Sequence, residues 1–424
     1  MRLSREIKVL VALLAVSIIL SGVNLYYAIN LMNKVTQLSM GEQVGTIAIG
    51  VMAPFTGHEA RVGQQYHDAA ILAFEDFNYT LLGKKIKPVW VDTRSLPEEG
   101  VRAFESAVLR DGIVACAGGW HSTVAVAVMD TAAKYKIPVL NIGAGTELQV
   151  EKYQSDPEKY KYWFKTWPSP PGLAYGYFEA VKSIIDKGIW TPRNNKMGII
   201  VEETEWGRSY ADAMESANEN GEYGWDIVTR ETVKKGETDL YPYINKLIEN
   251  DVCLVFSTFS SEEPRISLVK QARELGLNAL CIQDGLGWVT EWYDLTGEAS
   301  NGWLDMALKW ATPEAKAFRD KFVARFGYEP SPIVVGQVYD NVKMLLTCIE
   351  KAGSTDPDAI IEAILSTEYK GIMHTYKYDP QTHAAVVGEG YVMFPVVEYW
   401  NGESVIIWPE NIAEGEYTPP PWLG

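Results

Sequence analysis

The feature that most constrains this chain is a rhythm that begins at Thr46, in which short apolar runs alternate with amphipathic helical stretches. TIAIGVMAP is followed by YHDAAILAFEDFN, which sets Tyr66, Ala70, Phe74 and Phe77 on one helical face. KIKPVWVD, IVACAGG and IPVLNIG continue the series, with helices expected after Pro97 and over Ser122 to Tyr135. Runs this continuously apolar are strands buried on both faces, which predicts a parallel sheet with helices on each side. The tract YWFKTWPSPPG (162–172), with three prolines in four positions, reads as a crossover or hinge. The alternation then restarts with KMGIIVEE, DIVTRETV, DVCLVFST and ALCIQD, so two similar α/β lobes are expected. Two long helices, PEAKAFRDKFVARFG and VVGQVYDNVKMLLTCIEKAG, and a shorter one near Ala359 to Leu365 come next; from Tyr376 the chain reads as strands and turns.

At 424 residues and 47% hydrophobic content the chain can bury the cores of two or three domains. The formal charge of −17 argues against nucleic acid and anionic lipid as partners and favours a soluble monomer. Residues 9–29, VLVALLAVSIILSGVNLYYAI, are uncharged and about as long as a bilayer-spanning helix. Arg2, Arg5 and Lys8 precede them, which places the N-terminus in the cytoplasm and the remainder outside. No cysteine follows for lipoprotein anchoring, and NLYYAINLM offers no small-x-small cleavage site. A retained signal anchor over 1–30 and a tether over 31–44 are expected. The four cysteines, Cys116, Cys253, Cys281 and Cys348, show no Cys-x-x-Cys or metal-ligand spacing and read as buried thiols, with a Cys253–Cys281 bridge as the minority option. Asn78-Tyr79-Thr80 is a lone glycosylation sequon.

In open parallel sheets ligands bind at the carboxyl ends of the strands, where loops run into helix N-termini. In the first block those positions hold FTGHEARVGQQ, GGWHST and GAGTE, rich in residues that bring backbone amides and hydroxyls close to a carboxylate. In the second they hold EETEWGRS, STFSSEE and QDGLGW, whose Trp206, Asp284 and Trp288 suit an ammonium group and an apolar body. An α-amino acid or similar small polar solute between lobes is the function expected from this arrangement. GGWHSTVAVA also admits a hydrolase reading through His121 and Ser122. That reading lacks a G-x-S-x-G elbow and an acid placed for His121, and adjacent side chains at a helix start diverge. Ser122 and Thr123 are expected to cap the following helix. No nucleotide fingerprint or third metal ligand appears, so no cofactor and no metal are expected.

From Thr46 to about Trp422 the chain resembles the type I periplasmic binding proteins of branched-chain amino acid ABC transporters. IAIGVMAPFTG is similar to that family's opening strand and G-P-x-S-G turn, with Ala53-Pro54 and Phe55-Thr56-Gly57 in place. GGWHSTVAVA through KIPVLNIGAGTE resembles its two ligand loops, EETEWGRSY its second-lobe Y-G-x-G segment and GQVYDNVKMLL its A-Y-D-A helix. The resemblance implies that Ser122 and Thr123 bind a carboxylate, and that the Ala144 carbonyl and the Thr146 hydroxyl bind an ammonium. It implies Asp284 as an acidic partner for that ammonium. Trp206 stands where the family usually has a closing tyrosine, and Trp120 and Phe55 flank the side-chain subsite.

The fold so implied is a two-lobed type I periplasmic-binding-protein fold with a parallel sheet in each lobe and three hinge crossovers. Residues 45–166 plus 310–365 would form lobe 1, and 167–309 plus 366–424 lobe 2. The function implied is non-enzymatic: the extracytoplasmic solute-capturing component of an ABC importer, docking on permease subunits. A ligand-sensing receptor ectodomain is the alternative, and the eight residues before the apolar run count against it.

Overall fold

The computed structural model describes residues 45–288 and 290–424. The expected signal anchor and tether lie outside the described residues; among those described, no helix is long and apolar enough to cross a membrane. The compact body comprises Ile47–Leu82 and Ile86–Gly424.

The first sheet contains β1 (Thr46–Ala53), β2 (Thr80–Leu81), β3 (Lys84–Asp92), β4 (Ile113–Gly118), β5 (Val139–Asn141) and β6 (Trp163–Lys165), ordered β2-β3-β1-β4-β5-β6. β4 runs parallel to both β1 and β5, and β6 parallel to β5. All but one residue of β1 are buried, which is what helices on both faces require.

A second sheet begins with β7 (Lys196–Glu202), β8 (Asp226–Val233), β9 (Leu254–Thr258), β10 (Leu280–Asp284) and β11 (Leu304–Met306). A separate two-stranded ladder, β12 (Tyr369–Lys370) with β13 (Thr375–Tyr376), precedes β14 (Val396–Trp400) and β15 (Glu403–Trp408). The order is β15-β14-β11-β10-β9-β7-β8. The expectation of a purely parallel sheet fails here, because β14 is antiparallel to both β11 and β15. Asn401-Gly402, both at positive φ, joins β14 to β15 in a two-residue turn, and a turn that short can only join antiparallel strands.

The tract 162–172 also departs from its reading as a plain crossover. It begins as edge strand β6 and ends with Pro170 in the first turn of the helix Pro170–Asp186, where the missing N–H costs nothing. After β11 the helices Pro313–Phe326 and Gln337–Ala352 return to the first sheet and pack on the helix Ala60–Asp76. Lys321 pairs with Asp76 at 2.9 Å, and Tyr328 donates to Asp68 at 2.9 Å. The chain then comes back to the second sheet as β14 and β15. All four cysteines are buried and free; Cys253 Sγ donates to the Asn194 carbonyl at 3.1 Å and is not bonded to Cys281.

Candidate functional site

The carboxyl ends of β4, β5, β6, β7, β9 and β10 converge on one cavity of about 20 Å³. Trp120, His121 and Ser122 follow β4, Gly143 follows β5 and Trp167 follows β6. From the second sheet come Trp206 after β7, Ser260 after β9 and Trp288 after β10. Larger open grooves of about 370 and 600 Å³ exist. The first includes Asn194 and Asn195, before β7 begins, and the second Met373 and Tyr391; neither lies at the strand ends that converge here.

The local sequence explains how the tryptophans come so close. Gly118 and Gly119 have φ of 123° and 104°, and a Cβ on them would strike the Met52 carbonyl and the Asn141 amide respectively. The paired glycine thus lets the chain turn tightly off β4. A Cβ on Gly143 would meet Trp120 at 2.8 Å, and one on Gly145 would collide with Trp206, so the GAG loop is small because two indoles pass over it. Tyr66 anchors the turn by donating to the Gly119 carbonyl at 2.9 Å.

Three of the indoles stand nearly perpendicular to one another. Trp120 and Trp288 meet at 5.3 Å and 75°, Trp167 and Trp288 at 5.7 Å and 87°, and Trp120 and Trp167 at 6.4 Å and 82°. Trp206 is fixed by its Nε1 donating to Thr258 Oγ1 at 2.8 Å. None of the lining residues carries a carboxylate, lysine or arginine side chain.

His121 is the polar exception. It is buried, and neither ring nitrogen has a hydrogen-bond partner among the described residues. Burial, helped by Lys235 and Arg265, pushes its pKa down to about 3, so the ring is neutral and offers one donor and one acceptor. It makes no hydrogen bond to Ser122, and the catalytic pair considered from sequence is not assembled. Nor is Ser122 the helix cap: the cap position is His121, with no side-chain cap bond, and Ser122 and Thr123 are the first two helical residues. Ser122 Oγ instead accepts from the Thr146 amide at 3.4 Å, tying the β4 and β5 loops together. The first-turn amides of the helix Ser122–Tyr135 have no intrahelical acceptor, as at any helix start.

The remaining expected site residues are placed as follows. Ala144 is buried, and its carbonyl accepts from Gln149 Nε2 at 2.8 Å. Thr146 Oγ1 donates to Glu205 at 3.1 Å and lies 3.1 Å from Ser209 Oγ, so it bridges the β5 loop to the helix Glu205–Asn220. Thr123 and Phe55 are half-buried and off the cavity wall; Phe55 stands edge-on to Trp90 at 5.6 Å.

Asp284 lies behind the wall, where Tyr177 donates to its Oδ2 at 2.8 Å. Burial, followed by the neighbouring Asp305 carboxyl, holds it protonated far above the usual carboxylate range. A charged group close to the wall is Arg265, buried, 5.0 Å from the Trp288 ring centroid and donating through Nη1 to the Gly285 carbonyl at 2.8 Å. Across the cleft Glu59 is also buried, and burial raises its pKa to about 7 while Arg265 pulls against the shift. Trp167 and Arg265 were not singled out from sequence. The signal for Trp167 was its position directly before Pro168, two residues after the strand Trp163–Lys165.

A family model described as periplasmic binding protein matches residues 46–394. The chain belongs to the periplasmic binding protein family. It is a family of solute-binding proteins, and the expectation of a binding protein rather than an enzyme holds. Among curated relatives of this periplasmic binding protein, the Leu/Ile/Val-binding protein BraC3 of Rhizobium johnstonii is 26% identical over 75% of this chain and 83% of its own length. The leucine-, isoleucine-, valine-, threonine- and alanine-binding protein of Pseudomonas aeruginosa is 25% identical over 77% of this chain and 83% of its own. The fold matches that of a putative branched-chain amino acid ABC transporter from Silicibacter pomeroyi, with TM-score 0.77, 21% identity, and coverage of 89% of this chain and all of the other. A solute-binding protein from Rhodopseudomonas palustris in complex with 3,4-dihydroxybenzoic acid matches with TM-score 0.71, 21% identity, and coverage of 85% and 95%.

Proposed function

We propose that this protein is the extracytoplasmic substrate-binding component of an ABC importer and captures an amino acid or amino-acid-like solute at the tryptophan-lined cavity. The observation that carries the reading is His121, buried with both ring nitrogens unpartnered on the wall of a cavity built from strand ends of both sheets. Leaving a buried polar group unpaired costs about 1–3 kcal/mol, which a solute would return on binding. Ser122 and the free amides that start its helix would receive the solute's carboxylate. Trp120 and Trp206 complete the wall of the proposed site, and Thr123, Ala144, Thr146, Phe55 and Asp284 stand around it as supporting residues.

In this reading lobe 1 takes residues 45–166 plus 310–365 and lobe 2 takes 167–309 plus 366–424. The lobes close on the solute by hinge motion, and the closed monomer docks on the permease. The apolar run 9–29 anchors the protein to the membrane with its N-terminus in the cytoplasm. A thermal-shift screen over L-amino acids, their N-methylated forms, amides and aromatic acids tests the function. At least one class raises the melting temperature in a concentration-dependent way; no shift with any of them would refute it. The anchor is tested by fractionation, in which a form beginning at residue 45 leaves the membrane fraction.

A further inference from the structure

The tryptophan-lined cavity has the wrong chemistry for a bare ammonium group. An –NH3+ brings three N–H donors that need acceptors once water is excluded, and desolvating them unpaired is costly. The wall offers no carboxylate. The Ala144 carbonyl and the Thr146 hydroxyl, both expected to receive an ammonium, do not line the cavity and are engaged with Gln149 and Glu205. Asp284 accepts from Tyr177 and sits behind the indoles.

What the wall offers instead is aromatic surface in three directions. Trp120 comes from the first sheet, Trp288 from the second and Trp167 from the segment that crosses between them. Their planes are 75–87° apart with centroids 5.3–6.4 Å apart, the arrangement of three walls meeting at a corner. A flat aromatic ligand calls for two parallel walls, and no pair of these three is parallel. A quaternary ammonium group has no N–H to satisfy, and its diffuse charge is attracted by indole faces presented from several sides. At about 20 Å³ the cavity is smaller than a trimethylammonium group, so the corner must widen by Trp120 and Trp288 moving apart. The hinge motion proposed above for the two lobes would provide that widening.

We propose that the solute is an N-permethylated amino acid, a betaine, whose quaternary ammonium lies in the corner formed by Trp120, Trp167 and Trp288 while its carboxylate reaches His121 and Ser122. The proposal rests on reading the cavity as the solute site, and it names the solute's class.

Titration calorimetry on the full chain separates the two claims, with glycine betaine, 3,3-dimethylbutanoate (the same shape with carbon in place of the charged nitrogen), glycine, L-leucine and benzoate as probes. Glycine betaine is expected to bind about tenfold or more tighter than 3,3-dimethylbutanoate, because only the charge differs, and tighter than glycine. Trp288→Leu and Trp120→Leu should each erase that preference. If either variant fails to fold, the comparison of the two isosteres on the unaltered protein still decides. Equal binding of glycine betaine and its neutral isostere overturns the proposal. So does preferred binding of L-leucine or benzoate, which leaves the importer reading intact. Binding of none of the five removes the proposal, and the wider solute screen then judges the importer reading.

Discussion

Asp305 and His121 are both buried polar side chains at the same end of the two sheets, and the fold treats them oppositely. Asp305, in β11, accepts from the Gly285 and Gly287 amides at 2.8 Å each and from Tyr399 at 2.9 Å. His121, after β4, has no partner at either nitrogen among the described residues. The saturated group organises the turn that carries Trp288; the unsaturated one is left for something the fold itself does not supply. Lack of a partner together with a place on the cavity wall, rather than burial alone, sets His121 apart.

The most disruptive way to break this contrast is to remove the saturated member. Asp305→Ala strands two amides and a hydroxyl, each costing about 1–3 kcal/mol, so a loss of at least about 3 kcal/mol is expected in urea denaturation. His121→Leu should do the reverse. Unliganded stability should stay level or rise, while affinity for the bound solute should fall roughly tenfold by calorimetry. A variant that lost stability and kept its affinity would make His121 structural.

The pH dependence sharpens the comparison, because burial penalises charge on an acid and on a base with opposite sign. Asp284 holds a proton in the fold that it releases from its ordinary 3.8 when unfolded. Its contribution to stability is therefore complete below 3.8 and lost as the pH rises through its higher folded-state value. His121 refuses in the fold a proton that it takes up at 6.5 when unfolded, so its contribution is complete above 6.5 and lost as the pH falls toward about 3. Asp284→Asn should flatten the decline in urea midpoint as the pH rises above 3.8, and His121→Leu should soften the decline as the pH falls below 6.5. Both effects are partial, because burial raises the pKa of Glu59, Asp305, Asp340 and Glu398 as it does that of Asp284, and lowers that of His374 and His383 as it does that of His121.

The smallest effect concerns the rim. Arg61, at the start of the helix Ala60–Asp76, pairs with Glu262 at 3.5 Å and with Glu291, linking first-sheet and second-sheet elements beside the cleft. It is 44% exposed, so Arg61→Ala should cost at most about 1 kcal/mol, read as several-fold faster solute release that added salt masks in the unaltered protein.

Much of the architecture was legible in one dimension. Apolar runs alternating with amphipathic stretches reveal buried parallel strands and covering helices, and the carboxyl ends of those strands name the loops that form a site. GGWHST and GAGTE belong to such loops, and Trp120, Ser122 and Trp206 stand on the cavity wall. The antiparallel pair β14–β15 was hidden because an Asn-Gly turn announces a hairpin but not the sheet it joins. Trp167 was hidden because its tract looked like a hinge when it began as an edge strand.

The sequence by itself determined the two α/β lobes and which loops meet at the carboxyl ends of their strands, because periodicity and strand polarity are properties of neighbours in the chain. Only the tertiary structure decided which groups on that face are still free to bind. Asp284 is occupied by Tyr177, 107 residues away, and Thr146 by Glu205, 59 residues away, whereas His121 is occupied by nothing among the described residues. A hydrogen bond already made cannot be offered to a ligand, and which bonds are made depends on residues that only folding brings together.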